Sequence, residues 1–241
     1  MSNNKIKAFI PNVVTLLNLI SGSVGIILLL TTHNVLYACF CMFASAIFDF
    51  CDGTVARLLK VQSNIGKELD SLSDIISFGL LPGIIMYNLM TLLPLPYGVF
   101  SKIFPFLSLL IPAFAAIRLA RFNVSKQNLV VFYGLSSPGA AFLIASLAIN
   151  SYIVNFLTTR NVILSAIIII VIILIVCALM VSNIKFLTLK FKGLSFKYNY
   201  INYCLLVVSA ILLILLELNA LIIIFALYVI LSLIFSKQKT Q

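Results

Sequence analysis

Charged residues are scarce in this chain. Lysine, arginine, aspartate and glutamate make up 9% of the 241 residues, whereas hydrophobic residues make up 63%. Soluble domains contain about a quarter charged residues, and a water-facing surface cannot be built from so few charges. The composition therefore excludes a soluble globular protein and predicts an integral membrane protein.

Cysteine and histidine are also too few, or too widely spaced, to build a site of their own. The five cysteines (Cys39, Cys41, Cys51, Cys177 and Cys204) lie in or beside apolar segments and form no CxxC pair. Cysteines in such places usually behave as small buried hydrophobes, so we expect free thiols. The single histidine, His33, falls in a short polar turn, where we expect a solvated residue without a catalytic role.

Apolar runs of membrane-spanning length recur along the whole chain. A spanning helix needs about 20 residues, and polar breaks separate eight candidates. The predicted helices lie near 11–31, 35–59, 68–93, 101–123, 131–152, 161–182, 200–216 and 219–236. We expect no cleavable signal peptide, because the run at 13–31 is long for a signal core and lacks a clear cleavage site. The expected fold is an all-α transmembrane bundle of about eight spans.

Basic residues are distributed unevenly between the two sides of this predicted bundle. Eight spans with an internal N-terminus leave only Lys102 and Arg160 outside. The inside residues are Lys5, Lys7, Arg57, Lys60, Lys67, Arg118, Arg121, Lys126, Lys185, Lys190, Lys192, Lys197, Lys237 and Lys239. Lysine and arginine mark cytoplasmic segments, so both termini are expected in the cytoplasm of a multi-pass cell-membrane protein.

The net charge of +10 has two readings. Nucleic-acid binding is one, but the topology favours a basic rim that meets anionic lipid headgroups of the bilayer. Residues 183–199 alternate lysines with Phe186, Leu189, Phe191 and Phe196, which predicts a strip lying on the inner leaflet. No nucleic-acid partner is expected.

Carboxylates are the rarest charged groups, and they are clustered. Five of the six lie between positions 49 and 74, and the sixth is Glu217; the five are Asp49, Asp52, Glu68, Asp70 and Asp74. A carboxylate inside a membrane span costs roughly 2.5–3.5 kcal/mol on insertion scales. Neighbouring carboxylates repel one another further, so the cluster requires positive charge.

The spacing of these acids brings four of them together. Asp49 and Asp52 are three residues apart and Asp70 and Asp74 are four apart, so each pair lies on one helix face. Two such faces joined by a short turn would present hard oxygen ligands that suit two Mg²⁺ or Mn²⁺ ions.

Two simpler readings of this region remain open. The acids could pair with Arg57, Lys60 and Lys67, although these bases lie towards helix ends where long side chains reach water. Gly53 and Gly66 could serve only close helix packing. Beside four aspartates, we favour space for a phosphate or nucleotide.

The acidic segment resembles the signature of the CDP-alcohol phosphatidyltransferase family. The matching pattern is Asp49-x2-Asp52-Gly53-x2-Ala56-Arg57-x8-Gly66-x3-Asp70-x3-Asp74. The likeness covers roughly residues 1–182 and implies a catalytic core of the first six spans. Residues 183–241 would then be the interfacial strip and the C-terminal helices that complete the bundle. Members of the family are often dimers, so the resemblance also implies a homodimer.

The resemblance implies a role for each matching residue. Asp49, Asp52 and Asp70 would hold one metal ion, and Asp49, Asp70 and Asp74 the other. Asp74 would also be the general base. Contacts to CDP-diacylglycerol are implied for Asn12, Thr15, Gly53, Arg57 and Ser63.

Flanking segments are similar to the branch of the family that uses serine as its acceptor. These segments are residues 10–18, 67–74, 77–79 and 118–123. The implied reaction is transfer of the phosphatidyl group from CDP-diacylglycerol to L-serine, a step of phospholipid biosynthesis. Arg118, Arg121 and Asn123 are candidates for contact with the acceptor or a phosphate, against the simpler reading that the arginines are only positive-inside charge.

Other functions remain as alternatives. The signature fixes the donor but not the acceptor, so glycerol 3-phosphate or inositol phosphate could replace serine. A phosphorylated acceptor would need more converging bases than this chain supplies. A cation transporter would spread its acids over two repeats and broken helices, whereas here they lie in one hairpin. A purely structural subunit would leave the aspartates unexplained.

Overall fold

The fold is all-α in the described part of the chain. A computed structural model describes residues 2–61, 63–96, 98–124, 134–159, 161–184 and 196–235. The α-helices are α1 (Ser2–Thr32), α2 (Val35–Leu59), α3 (Asn64–Ile75), α4 (Leu81–Thr91), α5 (Val99–Ile103), α6 (Leu110–Val124), α7 (Ser137–Ile149), α8 (Ser151–Thr159), α9 (Val162–Val181), α10 (Phe196–Leu216) and α11 (Ala220–Phe235). A π-helical turn (Ile76–Leu80) joins α3 to α4, and 3-10 turns (Phe104–Leu109 and Glu217–Asn219) precede α6 and α11.

The first two helices form a hairpin around the polar turn that the sequence predicts at His33. His33 adopts a left-handed conformation with φ 54° and is exposed, as expected for a residue in a solvated turn. The side chain of Asn34 then caps α2 by accepting from the backbone N–H of Leu36 at 2.9 Å. An asparagine at this position satisfies a donor that the first helical turn leaves free. α1 and α2 pack along each other and form one side of the bundle.

The third span, Asn64–Thr91, is continuous through its π-helical turn. Ser77, Phe78 and Gly79 of this turn are buried at the centre of the bundle. Gly79 lies so close to α6 that an added Cβ would be 3.3 Å from Cβ of Ala115. The turn therefore sits where α1, α4, α6 and α7 meet. The break predicted between the spans at 68–93 and 101–123 is confirmed between α4 and α5.

The span predicted at 131–152 contains α7, which ends at Ile149. After Asn150, α8 leaves at an angle of 66°, a bend that the sequence did not predict. Asn150 accepts from the N–H of Ile153 at 3.0 Å and so caps the second helix. The polar cap ends one helix and starts another inside an apolar run, so this segment is a bent pair.

The C-terminal helices confirm a turn at the predicted place. Leu216 leaves the helical region and Glu217 has φ 50°, so the regular α-helix is interrupted here. α10 and α11 pack against each other across this turn, and α11 also contacts α7. Among the described residues, α10 packs mainly against α11 and against the 3-10 turn between them.

The chain is a polytopic transmembrane helical bundle. By length and composition, six described helical stretches can cross a membrane, or seven with the bent pair. Eight were predicted; the count of six treats Tyr203–Ser232 as one stretch, although the turn at Glu217 divides it. Arg160, Lys126, the lysines at 237 and 239 and most of the predicted strip at 183–199 lie outside the described residues.

Candidate active site

The carboxylates of α2 and α3 converge. Asp49, Asp70 and Asp74 each place one carboxylate oxygen within 4.8 Å of the others. The three residues are partly buried, and two helices, α2 and α3, contribute them. Both of these helices pack against α1. This acid trio confirms that the two predicted helix faces meet.

The fourth aspartate faces a cavity that adjoins the trio. Asp52 is 6% exposed and lines a cavity of about 540 Å³. Asp70 belongs to both the cavity and the trio, so the two form one continuous site. The lining also includes Asn12, Thr15, Gly53, Ser63, Gly66 and Lys67.

The donor set of the site fits divalent cations. Oδ2 of Asp52 is buried and has no hydrogen-bond partner within the described ranges. Such an atom is costly unless a cation or donor satisfies it. Clustered carboxylate oxygens are the ligands that Mg²⁺ and Mn²⁺ prefer, and each ion offsets the mutual repulsion of the acids. The acid trio with Asp52 could hold a metal ion.

Two of the nearby bases, Arg57 and Lys67, bind backbone atoms. Nε of Arg57 donates to the carbonyl of Gly53 at 2.9 Å, within its own helix. Nζ of Lys67 reaches the carbonyl of Asn123 at 3.5 Å. Lys60 ends α2 in a left-handed conformation with φ 52°. These contacts speak against the ion-pairing explanation of the cluster.

Helix α1 borders the site and is hydrogen-bonded to the segments that carry the acids. Oγ of Ser73 donates to the carbonyl of Thr15 at 3.1 Å. Oγ of Ser45 and Oγ of Ser77 both donate to the carbonyl of Asn18, at 3.1 Å and 3.0 Å. These three bonds, which we call the serine pins, fix α1 against the two helices that carry the acids.

Asn18 is the site residue that the sequence reasoning missed. It is fully buried, and its Nδ2 donates to Oδ1 of Asp74 at 3.4 Å. The available signal was a lone asparagine in the apolar run of the first span, where an amide is costly without a partner.

The two glycines of the site have different surroundings. A Cβ at Gly53 would meet no atom within 4 Å, so its backbone borders open space in the cavity. A Cβ at Gly66 would lie 2.8 Å from Oδ1 of Asn12 and 2.9 Å from Oγ of Ser63. Gly66 therefore serves the packing of α3 on α1, whereas Gly53 leaves room for a ligand.

We expect Gly53→Ala and Gly66→Ala to separate binding from folding. Gly53→Ala should fold at least as well as the wild type, because alanine favours a helix interior by about 1 kcal/mol over glycine. It should raise KM for the nucleotide-linked lipid about 10- to 100-fold, since the methyl group displaces the ligand. Gly66→Ala should destabilise the fold by about 1–3 kcal/mol through overpacking. Thermal unfolding and KM of the two purified variants test this, and an unchanged KM in Gly53→Ala would remove Gly53 from the binding surface.

The remaining residues with an implied contact to the donor are placed as follows. Asn12, Thr15 and Ser63 line the cavity, and Ser63 also caps α3 by accepting from the N–H of Gly66 at 2.9 Å. The Arg57 side chain is exposed, bonds to its own helix and is absent from the described lining. Its contact with a ligand stays a prediction.

The three candidates for acceptor contact have distinct environments. Arg121 donates to the carbonyl of Val181 at 3.2 Å, and Nδ2 of Asn123 donates to Oγ of Ser71 at 2.8 Å; both join helices. Arg118 donates to Oγ of Ser137 at 2.8 Å and interacts electrostatically with Asp74. Its Nε is buried and finds no partner in the part of the chain that the structure describes. Arg118 is therefore the best placed of the three to bind a ligand.

The helical membrane bundle and its intramembrane carboxylate cluster define a class of multi-pass proteins with a candidate metal-dependent site at the base of a polar cavity. The family model for CDP-alcohol phosphatidyltransferases matches residues 8–171, which include every residue of the acidic signature. The chain belongs to the CDP-alcohol phosphatidyltransferase family.

Three curated relatives are similar to this chain. A CDP-diacylglycerol–serine O-phosphatidyltransferase of Methanocaldococcus jannaschii is 36% identical over 61% of this chain and 64% of its own length. One of Helicobacter pylori is 38% identical over 56% of this chain and 54% of its own length. An archaetidylserine synthase of Methanothermobacter thermautotrophicus is 35% identical over 63% of this chain and 64% of its own length. The chain thus spans between half and two thirds of the relatives it matches here.

Proposed function

We propose that this chain transfers the phosphatidyl group of CDP-diacylglycerol to the hydroxyl of L-serine and releases CMP. The observation that carries the proposal is the acid trio, which continues into a cavity lined by five signature residues: Asp52, Gly53, Ala56, Gly66 and Asp70. The names of the similar proteins support serine as the acceptor. Family membership supports the donor.

The proposed chemistry is an in-line displacement at phosphorus. Asp74 takes the proton of the serine hydroxyl as that oxygen attacks the phosphorus bearing the diacylglycerol. The bond from this phosphorus to the bridging oxygen breaks, and CMP leaves. The cavity at Gly53 and Asp52 holds the nucleotide end, and Arg118 orients an anionic group beside Asp74. Positioning of a lipid-anchored donor and a soluble alcohol in one cleft supplies much of the rate.

Two divalent ions, Mg²⁺ or Mn²⁺, are part of this proposal. Asp49, Asp52 and Asp70 would hold one ion, and Asp49, Asp70 and Asp74 the other. When bound, such ions polarise phosphoryl oxygens and stabilise the charge that develops on the leaving group. The orphaned oxygen of Asp52 and the closeness of the trio support this ligand set.

The location of the protein follows from the same proposal. Serine and cytidine nucleotides are cytoplasmic, so we place the site and both termini at the cytoplasmic side of the cell membrane. The excess of lysine and arginine in the predicted inner segments supports this orientation. We further propose that residues 1–182 form the catalytic core, residues 183–241 complete the bundle, and two chains form a homodimer.

An acceptor panel tests the proposed function. Purified protein in detergent receives CDP-diacylglycerol, Mg²⁺ or Mn²⁺ and one labelled acceptor: serine, glycerol 3-phosphate or inositol phosphate. We expect CMP release and a labelled lipid with serine alone. Release only with a phosphorylated acceptor would overturn serine as the substrate but keep the reaction class. No release with any acceptor would overturn the reaction itself.

A further inference from the structure

Asn18 is a buried polar residue that contacts the proposed general base. It is fully buried in α1, and Nδ2 donates to Oδ1 of Asp74 at 3.4 Å. In the described part of the molecule, Asn18 Oδ1 has no hydrogen-bond partner. The amide nitrogen therefore donates to Asp74, whereas the amide oxygen accepts no hydrogen bond from the described residues.

An unpaired amide oxygen is a poor way to stabilise a membrane bundle. A buried acceptor without a donor loses its hydration and gains nothing in return. Leucine has the same branching at Cγ and would avoid this penalty among the apolar side chains of α1. Packing alone therefore gives no reason for an amide here, whereas the contact with Asp74 does.

The backbone around this contact is held in place from both sides. Ser77 lies three residues after Asp74, in the π-helical turn, and its Oγ donates to the carbonyl of Asn18 itself. A Cβ at Gly22 would collide with Ser77, so α1 lies directly against this turn. Donor and acceptor thus belong to two segments that are bonded to each other, which fixes the amide relative to the carboxylate.

We propose that Asn18 is a positioning residue that fixes the orientation of the Asp74 carboxylate. The inference rests on the proposed function, in which Asp74 holds a metal ion and accepts the proton of serine. The amide N–H occupies Oδ1 and stops rotation of the carboxyl group, so that Oδ2 keeps its direction. Partners of this kind around a metal-binding carboxylate typically contribute about 10- to 100-fold to metal affinity or activity.

The test replaces the amide by an apolar side chain with the same branching at Cγ. Asn18→Leu is compared with Ser45→Ala, a matched control that removes a buried hydrogen bond to the carbonyl of the same residue without touching the acids. Three quantities are measured in purified protein: serine-dependent turnover with KM for CDP-diacylglycerol, Mn²⁺ affinity from the signal of free Mn²⁺, and the melting temperature. Asn18→Ala replaces Asn18→Leu if the leucine variant does not accumulate as folded protein.

We expect Asn18→Leu to lose turnover about 10- to 100-fold and to bind Mn²⁺ about tenfold more weakly. In Asn18→Leu, KM for CDP-diacylglycerol should stay at its wild-type value and the melting temperature should not fall. Ser45→Ala should retain wild-type turnover and Mn²⁺ affinity. Wild-type turnover in Asn18→Leu, or equal losses in both variants together with lower melting temperatures, would assign Asn18 a structural role only. If the wild type itself released no CMP with serine, the proposed function would fail, and Mn²⁺ affinity would still test the position of Asp74.

Discussion

Asp74→Asn is expected to abolish phosphatidyl transfer in a protein that still folds. Loss of a general base typically costs about 10²- to 10⁴-fold in rate, and this residue also supplies a metal ligand. Asparagine has the same shape and removes one of three negative charges within 4.8 Å of one another. The fold without metal should therefore be at least as stable as that of the wild type.

The matched control for this variant is Glu68→Gln. Glu68 lies on the same helix, α3, but is exposed and outside the acid trio. The substitution makes the same chemical change, a carboxylate to an amide, so Glu68→Gln should keep wild-type turnover and melting temperature. CMP release is measured with CDP-diacylglycerol and serine in parallel for the wild type, Asp74→Asn and Glu68→Gln. Substantial turnover in Asp74→Asn would remove Asp74 as the base.

Removal of divalent metal is expected to abolish activity and to lower thermal stability. A ligand that binds only the folded state stabilises it, by about 2.7 kcal/mol at a concentration 100 times its Kd. Addition of Mg²⁺ or Mn²⁺ to chelator-treated protein should therefore raise the melting temperature and restore CMP release. The rise should be much smaller in Asp70→Asn, because Asp70 belongs to both the trio and the cavity.

A monovalent salt at equal ionic strength separates specific binding from screening. The acids of the trio are partly buried, so a monovalent salt screens their repulsion only weakly, and it occupies no site among them. KCl should therefore leave the melting temperature nearly unchanged and should not restore activity. Titration of Mn²⁺ should saturate at two ions per chain. Equal stabilisation by KCl and MgCl₂, or an equal response of Asp70→Asn and the wild type, would refute the metal site.

Much of the site was readable from the sequence, because intramembrane carboxylates are costly and therefore informative. The pairs at Asp49–Asp52 and Asp70–Asp74 lie on single helix faces, and the short turn between the helices left few ways to arrange them. The structure brings Asp49, Asp70 and Asp74 together as the spacing predicts. Family membership was equally readable, since the signature occupies a compact, unbroken segment.

Features that depend on local hydrogen bonds or on contacts between distant segments were harder to predict. Asn150 breaks an apolar run by capping a second helix, and a search for apolar length overlooks such a cap. Asn18 meets Asp74 across 56 positions of the sequence, which no periodicity within α1 encodes. The two glycines have the same letter in the signature but differ in what surrounds them, and only the packed helices show this.

The serine pins have a consequence for how this protein can vary. Their donors belong to α2, α3 and the π-helical turn, whereas the acceptors on α1 are backbone carbonyls. Every amino acid supplies a carbonyl, so the side chains at 15 and 18 are not tied to the pins at all. Substitutions at positions 15 and 18 would therefore leave these bonds intact, so the side chain of Thr15 can vary with the ligand of the cavity and that of Asn18 with the role of Asp74.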